Sequence, residues 1–300
     1  NLHTVFDLAS LTKPLATTTV AMKLLERGAL KLSHRASRWL PEIPEGPAQR
    51  ITVRQLLDHS SGLPAWQPFF EQVAAMTPSR RRRAVRLRAA RTPLEAAPGE
   101  RALYSDLGFI LLAWLLERAG GDRLDRLARR LIFAPLGLEH TLFIPLAEAA
   151  RRQALIRRLH FAPTELCPWR RRRLMAEVHD DNCHAMGGVS GHAGLFSSAM
   201  EVHLLARELV ASWHGQPSLF HGGITRRFLG RISGPPGTTR TLGWDTPSAG
   251  GSSAGKYFGP QSVGHLGFTG TSLWIDLPRR TWVVLVTNRV HGGREPNPMP

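Results

Sequence analysis

The chain holds two cysteines, Cys167 and Cys183, in 300 residues. Two thiols define no disulfide framework, and they neither require nor exclude export. No apolar run approaches the roughly 18 residues of a membrane span, and the segment from Ile110 to Leu116 is far too short for one. No repeat period and no long low-complexity linker divides the chain. His179, Asp180, Asp181, Asn182, Cys183 and His184 stand close together but match no recognised zinc spacing, so no metal is assigned and a hydrogen-bonded loop is expected there. No cofactor is called for.

Acidic residues are scarce relative to basic ones, 23 against 39, which gives a formal charge of +16. Arg80 to Arg83 with Arg86, Arg88 and Arg91 make one basic cluster, and Arg170 to Arg173 make another. Such a surface attracts nucleic acid, anionic lipid or acidic polymers. No nucleic-acid-binding motif or aromatic-lined basic groove accompanies it, so the clusters are expected on solvated helices and loops, with no nucleic-acid partner. Lysine is rare: Lys13, Lys23, Lys31 and Lys256 are the whole set. A guanidinium does not give up its proton, so a lysine in an arginine-biased chain can mark a place where arginine would fail.

What is present is Ser10-Leu11-Thr12-Lys13 at the front of an amphipathic stretch. Leu11, Leu15, Val20, Met22, Leu24 and Leu25 recur at helical spacing, and Gly28 follows as a stop, so a helix is expected over about residues 10 to 27. Pro14 is tolerated only in a first turn, which fixes Ser10 at the helix start. Residues three apart share a helix face, so the Lys13 amine can reach the Ser10 hydroxyl. The helix dipole and partial burial both disfavour the ammonium, so a neutral Lys13 able to accept the serine proton is expected. The bland alternative is two polar residues that share a helix face by chance.

Downstream, Ala97-Pro98-Gly99 leads through Tyr104-Ser105-Asp106 into an apolar run that reads as a turn feeding a buried helix, from which Tyr104 could present its phenol. Near the other end, Gly264 to Gly270, Thr271 to Asp276 and Thr281 to Val286 read as antiparallel strands joined by tight turns. His59 and His192 read as structural.

With these elements in order, the chain resembles the penicillin-recognising serine hydrolases, in the branch of class C β-lactamases, D-alanyl-D-alanine carboxypeptidases and esterases. The resemblance spans nearly the whole length. It rests on S-x-x-K at Ser10 and Lys13, a Y-x-N-like element at Tyr104 to Asp106 and a K-T-G-like strand at His265 to Gly267. Stretches Ile51 to Pro64 and Gly187 to Ser198 also match in character.

The resemblance implies that Ser10 attacks a carbonyl while Lys13 and Tyr104 share its proton, with Lys13 lowering the Tyr104 pKa. It implies an oxyanion hole from the backbone N–H groups of Ser10 and Phe268, and substrate contacts from Asp106, His265, Leu266 and Gly267. Asp106 replaces an Asn that could also donate to a substrate amide. Leu266 removes a hydroxyl, and His265 is largely neutral near pH 7. Carboxylate recognition is thereby weakened, which favours ester or amide hydrolysis over β-lactam turnover. Esterase, carboxypeptidase and β-lactamase types stay open, as does a D-amino-acid peptide substrate.

The expected fold is α+β and β-lactamase/transpeptidase-like: an antiparallel sheet flanked by helices, plus a mainly helical lobe. Residues 1–300 are expected to form a single domain, with 1–33 and 235–300 making a discontinuous α/β lobe and 34–234 the helical one. The site is expected between them. The chain reads as truncated at both ends, without strands ahead of the Ser10 helix to pair with the final strand. The expected partner is a small-molecule or peptide-like substrate, with oligomeric state and compartment open. The rival functions are a catalytically weak binder of a peptidoglycan-like ligand and a basic interaction module.

Overall fold

A computed structural model describes residues 1–294 except 233, 236, 237 and 249; the end of the proline-containing tail lies outside the described residues. The longest buried element is the helix Asp106–Gly120, in which every residue from Leu107 to Leu116 is buried. Ser105 caps it by accepting from the Gly108 N–H at 3.1 Å, and Gly121, left-handed at φ 71°, ends it. Each fully buried leucine here contributes about 1.5–3 kcal/mol relative to exposure. The helix packs against Thr19–Glu26, Val53–Leu57 and Pro78–Arg91. Their apolar faces form the main core, which also takes in Leu8, Leu11, Val263, Leu273 and Ile275.

The expected single helix over 10–27 is instead three consecutive geometries. A 3₁₀ turn, Ala9–Leu11, leads into a wide π-helical turn, Lys13–Thr18, and then the α-helix Thr19–Glu26. Pro14 supplies the reason: it lacks the N–H that the Ser10 carbonyl would take in an α-helix, so the chain widens past it.

The C-terminal strands form a three-stranded antiparallel sheet, Ser262–Gly267, Thr271–Asp276 and Thr281–Leu285, with His265 opposite Leu273 and Gly267 opposite Thr271. Gly264 is required where it stands, because a Cβ there would lie 2.3 Å from the Trp274 ring. On the other side of this strand, Asp245 exchanges backbone bonds with Gly264 at 2.8 and 2.9 Å, which pins the turn carrying Arg240 to the sheet.

A strand does precede Ser10. Val5–Asp7 pairs antiparallel with Leu195–Ser198, which in turn pairs with Leu142–Phe143, so it joins a second sheet rather than the final strand. Thr281–Leu285 pairs on one side only among the described residues, with Val283 and Leu285 exposed. No helix among the described residues is long and apolar enough to cross a membrane.

The basic clusters are less solvated than expected. Arg82 and Arg86 both pair with Glu117. Arg170 is buried, donating to the Val178 and His179 carbonyls and pairing with Asp181. Guanidinium groups taken out of water require such partners, because an unpaired buried charge is costly.

Candidate active site

Ser10 sits on a strained turn. Ala9, immediately before it, is left-handed at φ 46°, a conformation that costs a non-glycine residue about 1–3 kcal/mol and persists only where the surroundings enforce it. Buried Asp7 enforces it from one side, accepting from the Ala9 N–H at 2.8 Å and the His179 N–H at 2.6 Å. Thr12 enforces it from the other, its hydroxyl donating to the Ala9 carbonyl at 2.6 Å while accepting from the Leu195 N–H at 3.0 Å. Burial pushes the Asp7 carboxyl up, and its two backbone N–H bonds oppose that rise.

Lys13 is completely buried. Its Nζ donates to Ser10 Oγ at 3.0 Å and to the His192 carbonyl at 3.0 Å, and it lies 2.7 Å from Asp106 Oδ1. Two of the ammonium's three N–H donors go to the serine and carbonyl oxygens, and Asp106 meets its charge as an ion pair. Burial disfavours the charge, but the Asp106 carboxylate and the Tyr104 phenol outweigh it, so the Lys13 pKa is raised. The expectation of a neutral amine is corrected: the dipole and desolvation are legible locally, and the Asp106 counter-ion is not.

The Tyr104 hydroxyl donates to the same Ser10 Oγ at 2.9 Å. Its ring packs on His59 at 4.8 Å, with Lys13 Nζ at 4.7 Å and the Arg240 guanidinium at 5.2 Å. Burial raises the Tyr104 pKa; Lys13 lowers it, as expected, but Asp106 pushes it up again. The expected lowering is therefore corrected to a net rise. His59 holds this segment in place by accepting from the Ser105 N–H at 3.0 Å, and burial keeps its ring neutral.

Gly267 ends its strand hard against the nucleophile turn. A Cβ there would fall 2.5 Å from the Leu8 carbonyl oxygen and 2.1 Å from Thr271 Oγ1. Thr269 donates to the Asp7 carbonyl at 2.7 Å and Thr271 to that of Leu8 at 3.1 Å, which ties Phe268 beside Ser10. The Phe268 ring is half exposed, stacked on His179 at 5.6 Å. His265 is buried and its pKa lies well below the usual range, through burial first and then Lys13 and Arg240. Its Nδ1 lies 2.7 Å from the Leu266 carbonyl, and Nε2 has no hydrogen-bond partner among the described residues. The expectation of a neutral His265 is thus met. Leu266, the next residue along the strand, is 48% exposed.

The beta-lactamase family model matches residues 1–299. The chain belongs to the beta-lactamase family. Among its relatives is an Escherichia coli K12 protein provisionally named D-alanyl-D-alanine carboxypeptidase, 32% identical over 311 residues, covering 96% of this chain and 70% of that one. A Salmonella agona protein of the same provisional name is 32% identical over 308 residues, with the same coverage. EstCE1, a hydrolase with promiscuous acyltransferase activity, shares the fold with a TM-score of 0.72 at 22% identity, over 96% of this chain and 81% of its own. A penicillin-binding protein from Bacillus halodurans does so with a TM-score of 0.69 at 18% identity, over 96% and 83%. This beta-lactamase-family chain is an enzyme, a serine hydrolase of α+β architecture.

In this family member Ser10, Lys13, Tyr104 and Asp106 are brought together, with Gly267 and Phe268 beside the serine turn. Sequence reasoning passed over several supporting groups. The His192 carbonyl anchors Lys13, and the His192 ring bridges Asp180 at 2.9 Å and Ser190 at 2.9 Å. Asp106, Asp180 and His192 offer ligand atoms within 4.8 Å of one another. Asp106 already holds the Lys13 ammonium and Asp180 the His192 ring, so a divalent ion there would have to displace both. The segment after His179 forms the expected hydrogen-bonded loop and a short helix, Asp181–Ala185, capped by Asp180.

Proposed function

We propose that this protein hydrolyses ester or amide substrates through an acyl-enzyme on Ser10. The observation that carries the reading is the convergence of Lys13 Nζ and Tyr104 Oη on one oxygen, Ser10 Oγ, at 3.0 and 2.9 Å. Both groups donate to Ser10 at rest, so one proton must first leave the Lys13–Tyr104 pair. The base so formed takes the Ser10 proton while Oγ bonds to the substrate carbonyl carbon. The carbonyl π electrons move onto oxygen, where the backbone N–H groups of Ser10 and Phe268 meet the charge. Two such fixed donors supply on the order of 3 kcal/mol each. Collapse breaks the bond to the leaving group, which takes the proton back from the pair, and water repeats the sequence on the ester.

The substrate we favour carries a small or peptide-like acyl group, in keeping with the provisional carboxypeptidase name of the relatives. Neutral His265 and apolar Leu266 stand where a carboxylate would otherwise be gripped, so β-lactams are poor substrates in this reading. Arg240, which also pairs with Asp245 at 3.4 Å, is the cation flanking Tyr104 that an acidic substrate group would meet.

Intact-mass measurement after exposure to a fluorophosphonate, a p-nitrophenyl ester and a penicillin tests this. Adducts on Ser10 with the first two, and little with penicillin, are expected. A folded protein that takes up none of the three would overturn the reading.

A further inference from the structure

Asp106 stands where the family resemblance places a substrate-binding Asn, yet its carboxylate is turned onto the catalytic amine. Oδ1 lies 2.7 Å from Lys13 Nζ, and the aspartate side chain is 16% exposed at the cleft. Its backbone is fixed: the Asp106 N–H donates to the Ala65 carbonyl at 2.9 Å, and the residue opens the helix Asp106–Gly120. The dipole of that helix favours a carboxylate in its first turn, and the Lys13 amine stands against the same group as an ion-pair partner.

We propose that Asp106 is a positioning residue: by clamping the Lys13 ammonium it sets the pH at which the Lys13–Tyr104 pair releases the proton that turns it into a base. This rests on the acyl-enzyme reading above. The serine turn supplies Lys13 with a neutral hydroxyl, and the glycine-rich loop supplies the His192 carbonyl. The helix Asp106–Gly120 adds the Phe109 ring at 5.8 Å as well as Asp106 itself. His59 and His265 face the site as neutral rings, and Arg240 lies across Tyr104. Asp180 belongs to His192, which bridges it at 2.9 Å. Among the described residues Asp106 is therefore the anion in direct contact with Lys13.

An anion there opposes ionisation of Tyr104 and opposes loss of the Lys13 proton. Both effects move the active form of the pair to higher pH. An Asn would keep the side-chain oxygen for Lys13 and remove the charge.

The test compares wild type, Asp106→Asn and Asp106→Glu, reading kcat/KM against pH on a p-nitrophenyl ester. The acid limb of D106N is expected to move down by about one pH unit or more, while D106E keeps the wild-type limb. An unmoved limb in D106N that still acylates Ser10 overturns the proposal. Wild type alone gives a second check: fluorophosphonate labelling of Ser10 should accelerate through the alkaline range, and a rate flat from about pH 6 to pH 9 overturns the role of Asp106. Absence of any Ser10 adduct at every pH fells the acyl-enzyme reading itself, and this proposal with it.

Discussion

The Tyr104 hydroxyl donates to Ser10 Oγ at 2.9 Å, so the serine oxygen already accepts from Lys13 and from tyrosine before any substrate arrives. Its own proton is thus directed at neither group. Removing the phenol oxygen in Tyr104→Phe should lower kcat/KM by about 10²–10⁴ with the far-ultraviolet spectrum unchanged, and Ser10→Ala should abolish the covalent adduct. Ester turnover at the wild-type rate in Y104F would remove Tyr104 from the chemistry.

The chain has two tyrosines, and they sit in opposite environments: Tyr257 is 79% exposed, while Tyr104 lies inside the site. Burial penalises the phenolate, so Tyr104 ionises above its ordinary value of 10.0. Absorbance at the phenolate band during alkaline titration should show a step above that value which Y104F deletes. Loss in Y104F of a step at or below the ordinary value instead would contradict the buried position.

Leu266 is half exposed on the strand beside Gly267, where a hydroxyl is missing. Threonine suits an exposed strand position, so Leu266→Thr should fold normally. A hydrogen bond to a charged group is worth about 1.5–3 kcal/mol, so penicillin acylation of L266T should rise about tenfold or more. Intact-mass time courses would read this, and an unchanged rate would show that the strand does not meet the penicillin carboxylate.

Glu177 is buried at 1% exposure, with Arg172 at 2.8 Å and His184 at 3.2 Å. Burial alone would raise its carboxyl, but His184 and Arg172 outweigh that and hold it at about 2, below the ordinary 4.5. The folded value lies below the unfolded one, so the stabilisation is complete above about pH 4.5 and is lost as pH falls towards 2. Glu177→Gln should unfold at lower denaturant than wild type at pH 7, and the gap should narrow across that acid window. Parallel unfolding midpoints from pH 7 to pH 3 would refute the assignment.

How much of this was legible in the chain depends on sequence distance. Ser10 and Lys13 are readable because three residues on one helix face need no tertiary knowledge, and the buried helix after Tyr104 shows in its unbroken apolar run. The charge of Lys13 was not readable, because it is decided by Asp106 on another element. The His192 contribution is a backbone carbonyl, which leaves no residue signature. Arg240 reaches the phenol only because its turn is pinned to Gly264, and nothing in the local sequence announces that pairing. Pro14 was read as a marker of the helix start, whereas its missing donor reshapes the turn behind the nucleophile.

The bond from Lys13 to the His192 carbonyl closes a separation of 179 residues, and that from Thr269 to Asp7 closes 262. Closures of that length come at a high entropic cost and form slowly compared with local helix. During refolding, a chain can regain its helical signal while the alcohol at position 10 is still inert. Covalent capture of that serine would then serve as a clock for completed topology, ticking only after both distant ends of the polypeptide have met.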